Sequence, residues 1–296
     1  MAAPPSGKAR ESVASYFERA RQELVQVSAQ FFYHVGAGSF NDEDVREYIT
    51  EPISALPPAV AAMLPKVTLL LVPFLERGNG NGKDAARENG AASAAKDGAS
   101  KEVASESATV AIGAAVAIGA KSVQIAYDQP VEGRWVPYVS IRVAGEVVIA
   151  LSVEAQETAD YHYHLYHELA HLAADKLPTE RAGEYAALVS EELRAGAHGE
   201  VDDESWTMKQ SVRRHRASSK PTKALVNYAR ASFIDTLTLY LHGICCDIDV
   251  EPGPRQLPSR HLRKRLKLLQ QMLPAPKGYA VFPEELDSAA AAGRDA

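Results

Sequence analysis

The motif His167-Glu168-Leu169-Ala170-His171 constrains this chain more than any other feature of its sequence. It reads H-E-x-x-H. Residues four apart lie on one face of an α-helix, so His167 and His171 can present two imidazoles to a single ion. Tetrahedral zinc accepts nitrogen donors of this kind, and the motif therefore predicts a helix that binds Zn2+.

The acid inside the motif indicates a chemical role for the metal. Glu168 lies beside the first histidine, where a carboxylate can take a proton from a zinc-bound water. Three protein ligands would leave one zinc position open for that water. We expect the resulting hydroxide to attack a carbonyl, and Glu168 to pass the proton to the leaving amine. The candidate donors to the oxyanion are Tyr240, His242 and His215.

The residues around the motif predict how the helix is supported. Residues 160–176 have leucines at helical spacing, which indicates a helix. Residues 139–143 and 146–151 have the pattern of strands, with Ala144-Gly145 as the hairpin turn between them. We therefore expect a small antiparallel sheet packed on the H-E-x-x-H helix. Residues 147–151 are expected to be its edge strand, open to an extended substrate.

The third metal ligand has to come from another segment. The metzincin pattern is excluded, because Ala174 and Leu177 occupy the positions where it requires Gly and His. A helix over residues 180–194 follows a short connection, so it is expected to return antiparallel. On that helix Glu184 lies level with His171. Glu191 is the second choice, because it lies about 10 Å farther along.

Other polar residues near the motif are expected to orient the metal ligands or to take no part in metal binding. Glu191 or Asp235 can hydrogen-bond a ligating imidazole and fix its orientation. His162 and His164 lie upstream on the same helix. We expect these two to be partly exposed polar residues and not ligands.

The order of these residues resembles that of the gluzincin metallopeptidases. The strand 147–152, the motif 167–171 and the segment E-R-A-G-E-Y-A-A at 180–187 are similar, more narrowly, to ImmA/IrrE-type H-E-x-x-H proteins. The resemblance covers residues 139–192. It implies a zincin-like α+β fold and the hydrolysis of peptide bonds in a peptide or protein substrate.

Composition and charge limit the compartment and the partners. The net charge is −6, which gives no general attraction to nucleic acid. The two cysteines, Cys245 and Cys246, are adjacent, and neighbours seldom form a structural disulfide. Residues 1–11 lack the apolar core of a signal peptide, and no apolar run is long enough to span a membrane. The expected location is the cytoplasm, without a membrane partner.

Composition also divides the chain into regions. We expect an N-terminal helical region over 1–77, including a helix over 8–33, packed on the core. Residues 78–108 are rich in Gly, Ala and Ser and are expected to form a flexible insertion. Residues 109–283 form the expected zincin-like metallopeptidase domain, and 284–296 a disordered tail.

Two basic segments leave a second class of function open. Residues 213–220 and 260–265 are basic within an otherwise acidic chain. Such segments can contact nucleic acid or an acidic partner. The alternative is therefore a regulatory or binding protein with a zincin fold and a non-peptidase zinc site. The presence of Glu168 favours the enzyme, because a structural zinc site needs no base.

Overall fold

The computed structural model describes residues 10–38, 40–78, 123–214, 222–245 and 256–282. The expected insertion lies outside this part of the chain except for Gly78, and the expected C-terminal tail lies wholly outside it.

The fold is a mixed α+β arrangement. The strands of the described residues are β1 Glu11–Ser12, β2 Val25–Gln26, β3 Phe31–Val35, β4 Val67–Val72, β5 Phe74–Arg77, β6 Val123–Ala126, β7 Trp135–Val136, β8 Tyr138–Val143 and β9 Glu146–Ser152. The α-helices of the same residues are α1 Val13–Ala20, α2 Asp42–Val45, α3 Glu51–Ser54, α4 Pro58–Ala61, α5 Thr158–Ala174, α6 Thr179–Arg194, α7 Asp203–Arg214, α8 Lys223–Cys245 and α9 Ser259–Met272.

Five strands form the main sheet, in the order β2-β3-β4-β9-β8. Strands β3, β4 and β9 are parallel, whereas β8 is antiparallel to β9. The central strand β4 has the sequence VTLLLV and is buried along its whole length. Such a continuous apolar run is typical of a strand covered on both faces.

The hairpin predicted from the sequence is confirmed. Strands β8 and β9 pair from Tyr138 to Leu151 across a two-residue turn, in which Ala144 has a φ of 50° and Gly145 a φ of 89°. Two successive positive φ angles suit the right-handed twist of a hairpin.

The expected sheet was wrong in two respects. It is mixed and not antiparallel, because β3 and β4 from the N-terminal region join it in parallel with β9. In addition, β9 is an interior strand, and the outer strand beside it is β8.

The two faces of the main sheet bury different elements. One face packs against α5 and α8, and the other packs against α1 and a smaller antiparallel sheet of order β1-β6-β5-β7. Alternation along β4 and β9 produces this division, since successive side chains point to opposite faces. The helix side receives Leu69, Leu71, Ile149 and Leu151, and the other side receives Leu70, Val72, Val148 and Ala150.

The helix expected over residues 8–33 was too long. Helix α1 begins after Ser12, whose side chain accepts a hydrogen bond from the Ser15 backbone, and it ends at Ala20. The sequence FFYHV at 31–35 forms β3, because aromatic and β-branched side chains pack well beside β4. The N-terminal region therefore contributes strands to the main sheet. No described helix is long and apolar enough to cross a membrane.

Candidate metal-binding and catalytic site

Helix α5 carries the H-E-x-x-H motif, as the sequence predicted. The rings of His167 and His171 lie edge to face, with their centroids 4.7 Å apart. Burial lowers the pKa of both histidines, and for His171 the charges of His167 and Arg230 help to lower it to about 4. The pair is therefore neutral at physiological pH, which is the protonation state that a metal requires of a histidine ligand.

The outer strand β8 runs beside this face of the helix. The Tyr138 hydroxyl lies 3.2 Å from His167 Nδ1, and Ser140, two residues on, forms a hydrogen bond with Glu168. A further two residues along, Arg142 lies 3.8 Å from Asp175. Alternate residues of a strand face the same side, so one side of β8 contacts successive turns of the helix.

Glu168 lies in the cleft between this strand and the helix. It is only 6% exposed, and burial raises the pKa of its carboxyl. The Ser140 hydrogen bond and the charge of Arg142 oppose that rise. A buried carboxylate of raised pKa is a better proton acceptor than a free one, as a general base requires.

Helix α8 forms the opposite wall and is antiparallel to α5. His242 lies near His162, with ring centroids 6.5 Å apart, and at the other end Arg230 donates to Asp175 at 2.6 Å. Asp235 therefore lies level with the helical turn between His167 and His171. It is 1% exposed and forms a hydrogen bond with the Ser205 side chain, whereas its Oδ2 atom has no hydrogen-bond partner among the described residues.

An acidic turn before α7 closes the cleft. Asp202 accepts a hydrogen bond from the Tyr163 hydroxyl at 2.8 Å, and the Tyr163 ring stacks on His167. The negative charge of Asp202 also acts on the pKa of His167, against the effect of burial.

Glu204, in the first turn of α7, is within electrostatic range of two residues around the motif. Its charge contributes to the raised pKa of Tyr138, and the charge of Arg230 acts on Glu204 in turn. Tyr138 contacts His167, and the charge of Arg230 acts on His171, so Glu204 is a carboxylate near the histidine pair.

The expected third ligand does not join the histidines. Glu184 is exposed on α6, and Glu191 is 62% exposed and lies 3.5 Å from Lys264. Among the described residues, no group of three or more His, Cys, Asp or Glu side chains is close enough to hold a metal ion. The physical reason is that α6 packs against α8 and α9, while α8 occupies the position beside α5 that the sequence assigned to α6.

The histidine pair itself fits a zinc ion. His171 Nε2 is buried without a hydrogen-bond partner among the described residues, so a ligand at that atom would satisfy it. Tyr138 can hold His167 through Nδ1, which would leave Nε2 as the donor to a metal. The two imidazoles therefore suit the group that the motif implies, whereas the expected carboxylate does not reach it.

Other residues singled out in the sequence lie elsewhere. His162 and His164 are 5% and 7% exposed, so the expectation that they are partly exposed was wrong. His162 bonds the Glu47 carbonyl, and His164 packs on Tyr138. Tyr240 donates to the Leu273 carbonyl, and His242 lies near His162; His215 is outside the described residues.

Some side chains of the two basic segments bond within the protein and do not contribute to a basic surface. Arg265 is fully buried and bonds Glu192 and Glu200. Arg213 donates to the Ala197 carbonyl. Exposed cations remain on α9 at Arg260, Arg263, Lys264 and Lys267. Residues 215–220 are outside the described residues.

The sequence interpretation missed Tyr138, Ser140, Asp202, Glu204 and Arg230. The sequence contained a sign of Asp202 and Glu204, because the acidic run D-D-E at 202–204 lies at the start of a helix. The other three act through contacts distant in sequence, for which the local pattern gives no sign.

The chain was compared with protein-family models, with curated proteins and with solved structures, and none of these comparisons found a match.

Proposed function

We propose that this protein is a zinc-dependent peptide-bond hydrolase with a zincin-like fold. The observation that carries the proposal is the H-E-x-x-H face of α5. It presents two neutral imidazoles and a buried carboxylate to one cleft, between the outer strand β8 and helix α8. In this proposal His167 and His171 hold the ion, and Glu168 is the general base.

A bound zinc ion would supply a Lewis acid for the carbonyl and would lower the pKa of a coordinated water. The residues of the chain have separate tasks. Glu168 accepts a proton and returns it to the leaving amine. Tyr138 orients His167, and Ser140 holds the Glu168 carboxylate beside the cleft. The outer edge of β8, which pairs with no further strand in the described part of the chain, supplies backbone groups to which an extended peptide can bond.

We assign the third donor to Glu204 in place of Glu184. What supports this choice is that Glu204 interacts electrostatically with Tyr138 and with Arg230, the two residues that act on His167 and His171. Asp202 has a different role, since it already accepts from Tyr163 and from the Asp203 backbone.

The zinc content of two matched variants tests this assignment. Glu204→Gln is expected to lose most of its zinc after dialysis, whereas Glu184→Gln is expected to keep the wild-type amount. The reverse result would restore Glu184 as the ligand. Loss in Asp202→Asn, with none in Glu204→Gln, would move the assignment to Asp202.

Cleavage of a peptide library tests the function itself. The zinc-loaded wild type is expected to cleave peptides, and Glu168→Gln is expected to lose about 100-fold or more of that activity while retaining zinc. Cleavage at the wild-type rate by Glu168→Gln would refute the role of the base. No cleavage by the zinc-loaded wild type would refute the hydrolase.

The cytoplasm remains the proposed compartment, on the sequence argument alone. The adjacent cysteines Cys245 and Cys246 seldom form a structural disulfide with each other, which suits a reducing environment.

A further inference from the structure

An open apolar groove lies one helical turn beyond the histidine pair. It has a volume of about 350 Å³ and is formed by the end of α5, the first turns of α6 and the start of α8. Ligand pockets in proteins commonly measure about 300–1,000 Å³. The groove is therefore large enough for a bulky side chain.

The lining of the groove favours an apolar ligand. Small or apolar side chains supply nearly all of it, and they include Leu177, Ala182, Val226 and Phe233. Val226 is 57% exposed, one of three large hydrophobic side chains so exposed among the described residues. Its exposed side chain extends the apolar lining at the mouth of the groove, and contiguous exposed apolar surface marks ligand-binding grooves.

The groove lies beside the proposed catalytic site. Ala174 lines it, and Ala174 lies three residues after His171 on the same face of α5. Arg230 lines it as well, and the charge of Arg230 acts on His171. One helical turn is about 5.4 Å, so a side chain in the groove belongs to a residue close to the bond at the histidine pair.

We propose that the groove binds a large apolar side chain of the peptide substrate and so selects where the peptide is cut. This inference rests on the proposed function. The proposed substrates are peptides that carry a bulky apolar residue, such as Phe or Leu, beside the scissile bond. Arg230, paired with Asp175 at the rim, is the polar group that the adjoining peptide backbone would meet.

Gly183 lines the groove and provides a variant that adds bulk there without a steric clash. A Cβ atom added there meets no atom within 4 Å. Gly183→Leu therefore projects a bulky side chain into free space. Gly183→Ala is the matched control, because it gains helix propensity in the same way but fills little of the groove.

Binding is measured on the full chain by amide chemical shifts, with N-acetyl-phenylalanine amide and N-acetyl-lysine amide as probes. The phenylalanine probe is expected to shift residues of the groove saturably. Its affinity should fall about 10-fold or more in Gly183→Leu and stay unchanged in Gly183→Ala. The lysine probe is expected not to bind. Equal affinity of the phenylalanine probe for wild type and Gly183→Leu would overturn the proposal.

Cleavage by the same variants separates this proposal from the function on which it rests. Gly183→Leu is expected to lose the preference for apolar residues about 10-fold while Gly183→Ala keeps it. If the wild type cuts peptides and Gly183→Leu retains the preference, the groove proposal is wrong and the hydrolase stands. If the phenylalanine probe binds but the zinc-loaded wild type cuts nothing, the hydrolase is wrong, and the groove loses its role in substrate selection.

Discussion

Two buried polar regions of this molecule differ in how fully their groups are paired. The first links the C-terminal helices: Arg265 bonds both Glu192 and Glu200, and Lys209 bonds Glu200 at 2.9 Å. Its one buried carboxylate atom without a hydrogen-bond partner among the described residues is Glu192 Oε1, which lies 3.5 Å from His261 Nδ1. The second is the cleft around α5, where buried atoms of His164, His171 and Asp235 have no hydrogen-bond partner among the described residues.

The comparison distinguishes charged groups that stabilise the fold from groups that remain available for binding or catalysis. Two cations and two anions in the first region balance each other. Burial alone would raise the pKa of Glu200, yet its bonds to Arg265, Lys209 and Tyr228 lower it overall. In the second region burial dominates, and it raises the pKa of Asp235 to about 8. Unpaired buried polar groups cost stability, so a fold that retains them gains something else from them.

The largest effect is expected in the paired region. Arg265→Met should lower the free energy of unfolding by about 3–5 kcal/mol, because it leaves two buried carboxylates without their main partner. Urea denaturation at pH 7 measures this change, with the exposed Lys267→Met as the control. A loss as small as that of the control would mean that the network does not hold the helices together.

A smaller effect is expected where the cleft meets the outer strand. Tyr138→Phe removes the hydroxyl that contacts His167 Nδ1 and should weaken zinc binding about 10- to 100-fold. Competition with a chromophoric chelator measures the affinity, and Tyr33→Phe on β3 is the control. Unchanged affinity would show that Tyr138 does not orient the ligand.

The smallest expected effect is a gain of stability in the cleft, opposite in sign to the loss expected in the paired region. Asp235→Asn keeps the shape of the side chain and removes a carboxylate that burial disfavours, so it should raise the free energy of unfolding by about 1 kcal/mol or more in zinc-free protein at pH 7. Denaturation of the dialysed variant checks this. A clear loss of stability would place Asp235 among the structurally paired charges.

Local patterns in the sequence were sufficient for the parts of the site that are local. The helix that carries His167 and His171 and the hairpin at Ala144-Gly145 each depend on residues close together in the chain. Their hydrophobic spacing and turn residues therefore predicted them.

The walls of the cleft depend on distant contacts and could not be predicted in the same way. A short loop after α5 suggested that α6 would return beside it and bring Glu184 to the histidines. Helix α8, some fifty residues later, buries more of its surface there and takes that position. Likewise, the apolar spacing before residue 33 suggested one long helix, but pairing of β3 with β4 outweighs local propensity.

The central claim is that the two imidazoles of α5 hold a metal ion. It is tested most directly by elemental analysis of the purified full chain after dialysis against zinc, beside a variant in which His167 and His171 are both alanine. The account predicts a single zinc ion per chain in the wild type and almost none in the variant, with both proteins folded by circular dichroism. Equal zinc in the two proteins, or none in the wild type, would contradict it.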